Sequence, residues 1–453
     1  MKNIHKFIQS GVHYVVDVNS GALHIIDKLV YDLLNEDKLE ELGDLKKKYT
    51  GVYTENQIQE AYGEILELVE NGMLYTKDIY KEAVDKVNNS ESYIKALCLN
   101  IAHDCNLRCK YCFADEGEYK GERKLMTAEI GKKAIDFVIE KSGPRKNIEI
   151  DLFGGEPLMA FDVIKEIVAY GQAQEKIYSK HINFTMTTNA TLLNDEIMEY
   201  LDKNMGNIVL SIDGRKEVND KVRVKVNGSG SYDSILPKIK KMVKMRDKSK
   251  QYYARGTFTR LNTDFFEDIM SMVDQGFDEI SIEPVVLPKE NPLSLREEDL
   301  PVIFEQYDKL YEEMIKRHKN GTSFKFYHFN IDINGGPCVY KRISGCGSGH
   351  EYVAITPDGD IYPCHQFVGD ESFKMGNLDD GKLDQKMSKY FKDAHIYSKP
   401  ICMDCWAKFY CSGGCQANNY NFSGDIHAPY KLGCKMQKKR IECALALKSQ
   451  IME

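Results

Sequence analysis

The sequence predicts an α/β fold: a partial parallel barrel of six strand–helix units, a small N-terminal unit before it and a cysteine-rich segment after it. Three observations predict this. Over residues 94–288, short apolar or alternating runs take turns with longer runs of helical period, the pattern of βαβ units in a parallel sheet. Hydrophobic residues make up 42% and charged residues 29% of 453, an ordinary composition for a globular chain long enough for several domains. The 13 cysteines fall into two groups, with none from 113 to 337.

Residues 1–80 form the first predicted unit. Residues 13–18 and 22–26 are strand-like and flank the turn Asn19-Ser20-Gly21, which gives a hairpin. Helical pieces follow near 27–35, 36–48 and 55–72. Ile58, Tyr62, Ile65, Leu66 and Val69 keep a helical period in the last, and Asn71-Gly72 stops it. Residues 76–92 are polar and read as a linker. The barrel occupies 93–290, with strands at 95–102, 147–153, 182–188, 207–213, 252–259 and 279–284. Its helices lie near 127–141, 161–178, 194–203, 232–247 and 263–275. Ligands of such sheets sit at the C-terminal strand ends. Residues 291–337 bridge onward, with a helix near 298–318. Residues 338–453 are short-patterned and turn-rich. They promise no large apolar core, so metal sites would have to staple them.

The formal charge of −8 gives no sign of a nucleic-acid partner. Lys46-Lys47-Lys48 and the lysines of 238–241 read as solvated helix faces. The N-terminal segment has no apolar signal region, and no run reaches the roughly 18 apolar residues of a membrane span. A cytoplasmic protein is expected, with no membrane partner. Clustered cysteines in a reducing compartment point to metal or catalysis rather than disulfides.

Cys105-Asn-Leu-Arg-Cys109-Lys-Tyr111-Cys112 follows the first barrel strand. Three thiolates can hold three irons of a 4Fe-4S cube and leave the fourth without a protein ligand. Soft thiolates also suit zinc, and His103 could complete a zinc site. With Tyr111 before its last cysteine, the segment closely resembles the radical S-adenosylmethionine (SAM) superfamily. That resemblance implies that the open iron binds SAM and that its reductive cleavage yields a 5′-deoxyadenosyl radical. Phe153-Gly154-Gly155-Glu156-Pro157 is similar to the family's GGE motif. It implies close backbone approach at Gly154 and Gly155 and a Glu156 carboxylate that accepts from the SAM ammonium. Asn189 ends the third strand. Ser211-Ile-Asp213-Gly214 resembles the ribose-binding segment. Arg223 matches a downstream arginine, to be read either as a SAM contact or as a surface ion pair.

Cys402-x2-Cys405-x5-Cys411-x3-Cys415-x18-Cys434, with Cys346 and Cys364 upstream, resembles the SPASM extension of peptide-modifying radical SAM enzymes. It implies two auxiliary 4Fe-4S clusters, making three in all. Cys346, Cys364 and Cys415 would hold the first, and Cys402, Cys405, Cys411 and Cys434 the second. Structural zinc knuckles are the alternative. Cys338 could complete the first auxiliary cluster; the reading preferred here leaves that iron open for a substrate thiolate. Cys98 and Cys443 read as ordinary buried cysteines.

The N-terminal hairpin and helices resemble the winged-helix-like leader-recognition element of enzymes that tailor ribosomally made peptides. It would bind a leader by strand addition along 23–26; a structural cap or a dimerisation domain is the alternative. Taken whole, the chain resembles the maturases of six-cysteine (SCIFF) peptides. The resemblance implies thioether crosslinking of a cysteine-rich precursor peptide and an external one-electron reductant such as flavodoxin or ferredoxin. Two other readings remain: a sulfatase-maturase-like oxidase, with Asp332 or Glu283 as general base, and a non-enzymatic Fe–S electron carrier.

Overall fold

The computed structural model describes residues 2–331 and 339–451. At the N-terminus, Ile4–Gln9 pairs antiparallel with Val12–Asp17, which pairs in turn with Leu23–Ile26. The sequence revealed only the second hairpin. The first turns at Ser10-Gly11, both at positive φ (46° and 82°), the geometry of a two-residue hairpin turn usually announced by Asn-Gly or Asp-Gly. Helices Lys28–Leu33, Leu42–Lys48 and Glu55–Glu70 cover the sheet. The last starts in a capping box of Thr54 and Gln57 and buries Ile58, Ala61 and Ile65.

Residues 76–92, read as a linker, are fastened down. The Thr76 main-chain N–H donates to Asp17 at 3.0 Å. The Asp78 carboxylate accepts from Tyr397 Oη at 2.7 Å and pairs with the buried Lys408 ammonium at 2.8 Å. The acidic residue that made this stretch look solvated is the partner a buried lysine requires.

The barrel strands are Ala96–His103, Asn147–Gly154, His181–Thr188, Asn207–Ser211, Gln251–Phe258 and Glu279–Pro284, each parallel to the next. Helices Ala128–Lys141, Phe161–Tyr178, Asp195–Asn204, Tyr232–Met245 and Phe265–Asp274 alternate with them. Strand alternation divides the residues between two faces. Ile182, Phe184 and Met186 are buried beneath the helices, while Asn183, Thr185 and Thr187 face the partly open lumen.

The sheet does not stop at six strands. Lys325–Phe326 extends one edge. At the other, Tyr352–Ile355 runs parallel to the first barrel strand, matching Tyr352 with Ala96 and Ile355 with Leu99. Asp360–Tyr362 and Gly376–Asn377 continue it antiparallel. Nor does the C-terminal segment lack apolar burial. Helix Lys431–Ile451 lies along helix Leu300–Lys319 and buries Ile441, Ala444, Leu445 and Leu447. The last helix joins the barrel's core, while Phe367, Phe373, Phe391 and Ile426 gather in a smaller cluster mostly of the segment's own. Among the described residues, no helix is long and apolar enough to cross a membrane.

Ile355 is wholly buried in this shared strand. Ile355→Ala is expected to cost about 2–5 kcal/mol. Denaturant unfolding would read the loss, and limited proteolysis would find new cuts within 346–430.

Candidate functional site

The loop after the first barrel strand carries Cys105, Cys109 and Cys112, and all three are free thiols. Main-chain packing shapes this loop. Gly155 N–H donates to Ala102 O at 2.7 Å and Glu156 N–H to Asp104 O at 2.9 Å. A Cβ on Gly155 would stand 2.1 Å from Asp104 O and 3.1 Å from Cys105 Cβ; one on Gly154, at φ 132°, would stand 2.4 Å from Ala102 O. The two glycines therefore let the second strand's end press against the cysteine loop. Gly117 does the same from the other side, 2.9 Å from Cys105 Cβ.

Glu156 is wholly buried. Its carboxylate accepts from Thr188 Oγ1 and Asn189 N at 2.7 Å each, and from Leu158 N at 3.1 Å. Burial pushes this carboxyl up to about 7 against those hydrogen bonds. The sequence expectation gave this carboxylate to a cofactor ammonium; in the structure the end of the third strand engages both its oxygens. Asn189 Nδ2 donates to Asn106 Oδ1 at 2.9 Å and lies 3.6 Å from Cys105 Sγ. It ties the third strand to the cysteine loop.

A short ribbon pairs Leu107–Cys109 with Arg223–Lys225, setting Arg223 opposite Cys109. Arg223 is buried at 7% exposure, so it is no surface ion pair. Its Nη1 donates to Tyr111 Oη at 2.8 Å, and that hydroxyl donates to Asp213 Oδ2 at 2.7 Å. Asp213 Oδ1 accepts from Thr257 N at 3.0 Å. Burial pulls the Arg223 guanidinium down, but the charges of Tyr111, Cys109 and Asp213 outweigh it and hold it above its usual range. Arg223 Nε is buried without a hydrogen-bond partner among the described residues. Ser211, partly buried, ends the fourth strand. The donor set is three soft thiols, a buried cation with a spare N–H and a floor of glycines. It fits an anionic cluster with a small chelated ligand.

The thiols also sort themselves electrostatically. Burial pushes Cys105 up to about 12 and Cys109 up to about 11, and Cys105, Cys109 and Cys112 act on one another. Cys364 is raised first by burial and then by Cys415 and Cys346. Cys402, Cys405, Cys411 and Cys434 form a third mutually acting set. Among the described residues, no three His, Cys, Asp or Glu converge tightly enough for a single metal ion. Cys98 and Cys443 are wholly buried. Cys338 and Asp332 lie outside the described residues.

Several residues at this site escaped the sequence reading. Tyr119 is buried, its hydroxyl unpartnered among the described residues, in the field of both Cys112 and Cys364. Its signal is faint: an aromatic a few residues beyond the cysteine motif. His365 packs against Phe153 and Phe113, with ring centroids 5.1 and 5.4 Å away. It brings the residue after Cys364 over the first cysteine loop. In the lumen, Arg255 Nη2 pairs with Glu283 at 2.9 Å, and Thr185 Oγ1 donates to Asp151 Oδ1 at 2.9 Å. Glu283 was a sequence candidate; for Asp151, Thr185 and Arg255 the signal was polar positions within otherwise apolar strands. Burial raises Glu283, but Arg255, His328 and Arg440 outweigh it and hold the carboxylate down at about 2. That makes it a weak proton acceptor at neutral pH.

Residues 99–253 match the radical SAM superfamily, and residues 346–406 match SPASM, an iron-sulfur cluster-binding domain. The chain is 25% identical over 440 residues to the radical SAM cyclopropyl synthase TigE of Paramaledivibacter caminithermalis, covering 92% of this chain and 89% of that one. It is 27% identical over 342 residues to a cysteine-type anaerobic sulfatase-maturating enzyme of Clostridium novyi, covering 70% and 86%. Among solved structures, anSMEcpe with bound AdoMet superposes with a TM-score of 0.64 at 18% identity, over 80% of this chain and 98% of that one. Streptococcus suis SuiB bound to S-adenosylmethionine gives 0.53 at 15%, over 94% and 97%. SuiB has also been solved bound to precursor peptide SuiA, at a TM-score of 0.50 and 15% identity over the same shares of the two chains.

Tyr111 joins Arg223 to Asp213 through one hydroxyl. Tyr111→Phe strips a buried partner from each, with an expected cost of about 1–3 kcal/mol, read by denaturant unfolding of the metal-free protein.

Proposed function

We propose that this chain, which carries a radical SAM domain and a SPASM domain, matures a ribosomally made cysteine-rich peptide by joining cysteine sulfur to a carbon of a nearby residue. The observation that carries the reading is the sorting of ten cysteines into sets of three, three and four around one continuous sheet. In this reading Cys105, Cys109 and Cys112 hold the SAM-binding cluster and leave one iron for the cofactor. Cys346, Cys364 and Cys415 hold a second cluster with an open iron. Cys402, Cys405, Cys411 and Cys434 fully ligate a third. When bound, the first cluster and SAM supply a 5′-deoxyadenosyl radical that removes hydrogen from the acceptor carbon.

The chain's own residues do the positioning. Gly154 and Gly155 set the height of the Cys105 loop. Glu156 and Asn189 lock it to the third strand. Tyr111, Asp213 and Arg223 link it to the fourth strand, where the half-buried Ser211 would face a ribose. Asp151, Thr185, Arg255 and Glu283 give the lumen polar anchors for a peptide backbone. The leader would add a strand beside Leu23–Ile26, an edge of the N-terminal sheet where Ile25 is 49% exposed. The precursor-bound SuiB structure supports a peptide substrate.

A sulfatase-maturase-like oxidase is the second reading, favoured by the likeness to the Clostridium novyi enzyme. The Arg255–Glu283 pair weighs against Glu283 as its base.

The test is anaerobic turnover with a short cysteine-rich peptide encoded beside this chain. A thioether removes two hydrogens per link and protects one cysteine from alkylation. An aldehyde product, which also exchanges sulfur for oxygen, would sink the proposal. Iron and sulfide near about twelve each fit three cubes, whereas about four would remove the auxiliary pair. Replacing Cys105, Cys109 and Cys112 by alanine should abolish release of 5′-deoxyadenosine. Ile25→Lys should weaken leader binding about tenfold by fluorescence titration, with SAM cleavage unchanged.

A further inference from the structure

Two lysines are buried in the C-terminal segment, and they differ in one respect. Lys408, at 2% exposure, has the Asp78 carboxylate 2.8 Å away. Lys399, at 0%, has no carboxylate partner among the described residues. Its one hydrogen-bond acceptor there is the Gly413 carbonyl, 3.0 Å from Nζ. An ammonium carries three donors, and a buried charge without a counter-charge is costly.

The position of Lys399 explains its retention. Its own carbonyl accepts from Cys402 N at 2.8 Å. Its side chain reaches the loop Ser412–Gly414, three successive residues at positive φ (57°, 82° and 76°) that join Cys411 to Cys415. A Cβ on Gly413 would stand 3.1 Å from Nζ. One residue thus braces Cys402 through its backbone and the Cys411–Cys415 loop through its side chain. Cys402, Cys411 and Cys434 belong to the four-cysteine set, and Cys415 belongs to the neighbouring set. Lys438 and Arg440 also act on Cys434 and Cys411, but both are partly exposed and so more open to screening.

We infer that Lys399 is the buried counter-charge of the four-cysteine centre, seated between it and the Cys415 set, and that it raises that centre's reduction potential. The inference rests on the reading above, in which Cys402, Cys405, Cys411 and Cys434 hold a 4Fe-4S cluster. Four thiolates around such a core carry net negative charge, and reduction adds more. A fixed cation in a low-dielectric pocket stabilises the more negative state. Outer-shell charge is an established lever on cluster potential. Lys399 acts here as a positioning and tuning residue rather than a catalytic one.

The test uses full-length, anaerobically reconstituted protein bearing alanine at 105, 109 and 112, so that only the auxiliary centres respond. Lys399→Met, Lys399→Arg and the control Lys438→Met are titrated potentiometrically by EPR. At a fixed potential near the midpoint, Lys399→Met should lower the reduced-to-oxidised ratio of one centre about tenfold, which is about 59 mV for a one-electron couple. Lys399→Arg should restore most of it, and Lys438→Met should change little. Full iron with an unmoved midpoint in Lys399→Met overturns the inference. A parent protein without auxiliary iron overturns the ligand reading beneath it instead. If Lys399→Met takes up no iron, thermal melting of the metal-free protein decides. Removing an uncompensated charge should raise its melting temperature, and an unchanged or lower value overturns the inference.

Discussion

The parallel pairing of Tyr352–Ile355 with Ala96–Leu99 governs where every cysteine group of this chain can stand. A strand contributed from 250 residues downstream closes the barrel's first edge. The chain turns back at Asp358-Gly359, with Gly359 at φ 80°, and delivers Cys364 beside the loop that carries Cys105. His365, Phe153 and Phe113 then stack across the seam. Without that pairing the cysteine-rich segment would lose its register against the barrel and keep only its own clusters around Phe367, Phe373 and Phe391 and around Ile396 and Phe409.

Around this seam the structure trades apolar core for polar linkage. Glu156, Asp213, Arg223 and Asn189 are all buried; Glu156 is held by the third strand's end, and the other three bond to the cysteine loop through Tyr111 and Asn106. Such networks rigidify a site when nearly all members are satisfied. The exceptions are informative. Among the described residues, Arg223 Nε and Tyr119 Oη are buried donors without partners, and both lie in the field of the cysteine loop. Unsatisfied polar atoms in an otherwise complete network mark where something else binds.

Legibility in the sequence followed the range of the determining interactions. Barrel strands and helices were readable within about two residues, because apolar period and end signals are local. The two cysteine-bearing domains were readable because the spacing of their cysteines survives in sequence. The strand at 352–355 was not, since four apolar residues carry no period that tells a barrel edge from a loop. Helix Lys431–Ile451 was missed for a related reason: its lysines and cysteines masked a stripe that is apolar only where it meets helix Leu300–Lys319. Arg223 was ambiguous because burial is a property of the fold, not of its neighbours in sequence. Lys399 was invisible, as a lysine before a proline reads as loop.

The three cysteine sets also differ in what surrounds them, and the difference orders them. The first set has a guanidinium at its edge and a glycine floor that leaves room beside it. The second has Cys346 and Cys415 exposed and looks toward the lumen, where Glu283 acts on Cys415. The third is enclosed by helix Pro400–Met403, the left-handed loop and the base of helix Lys431–Ile451, with a lysine in its wall. The second set is therefore the most open of the three, and the nearby fixed positive charge changes from Arg223 at the first set to Lys399 at the third. On the reading proposed above, a substrate would approach the exposed Cys346 and Cys415, while the third set, with Cys402 buried and Lys399 wholly buried beside it, would hold charge rather than bind a ligand.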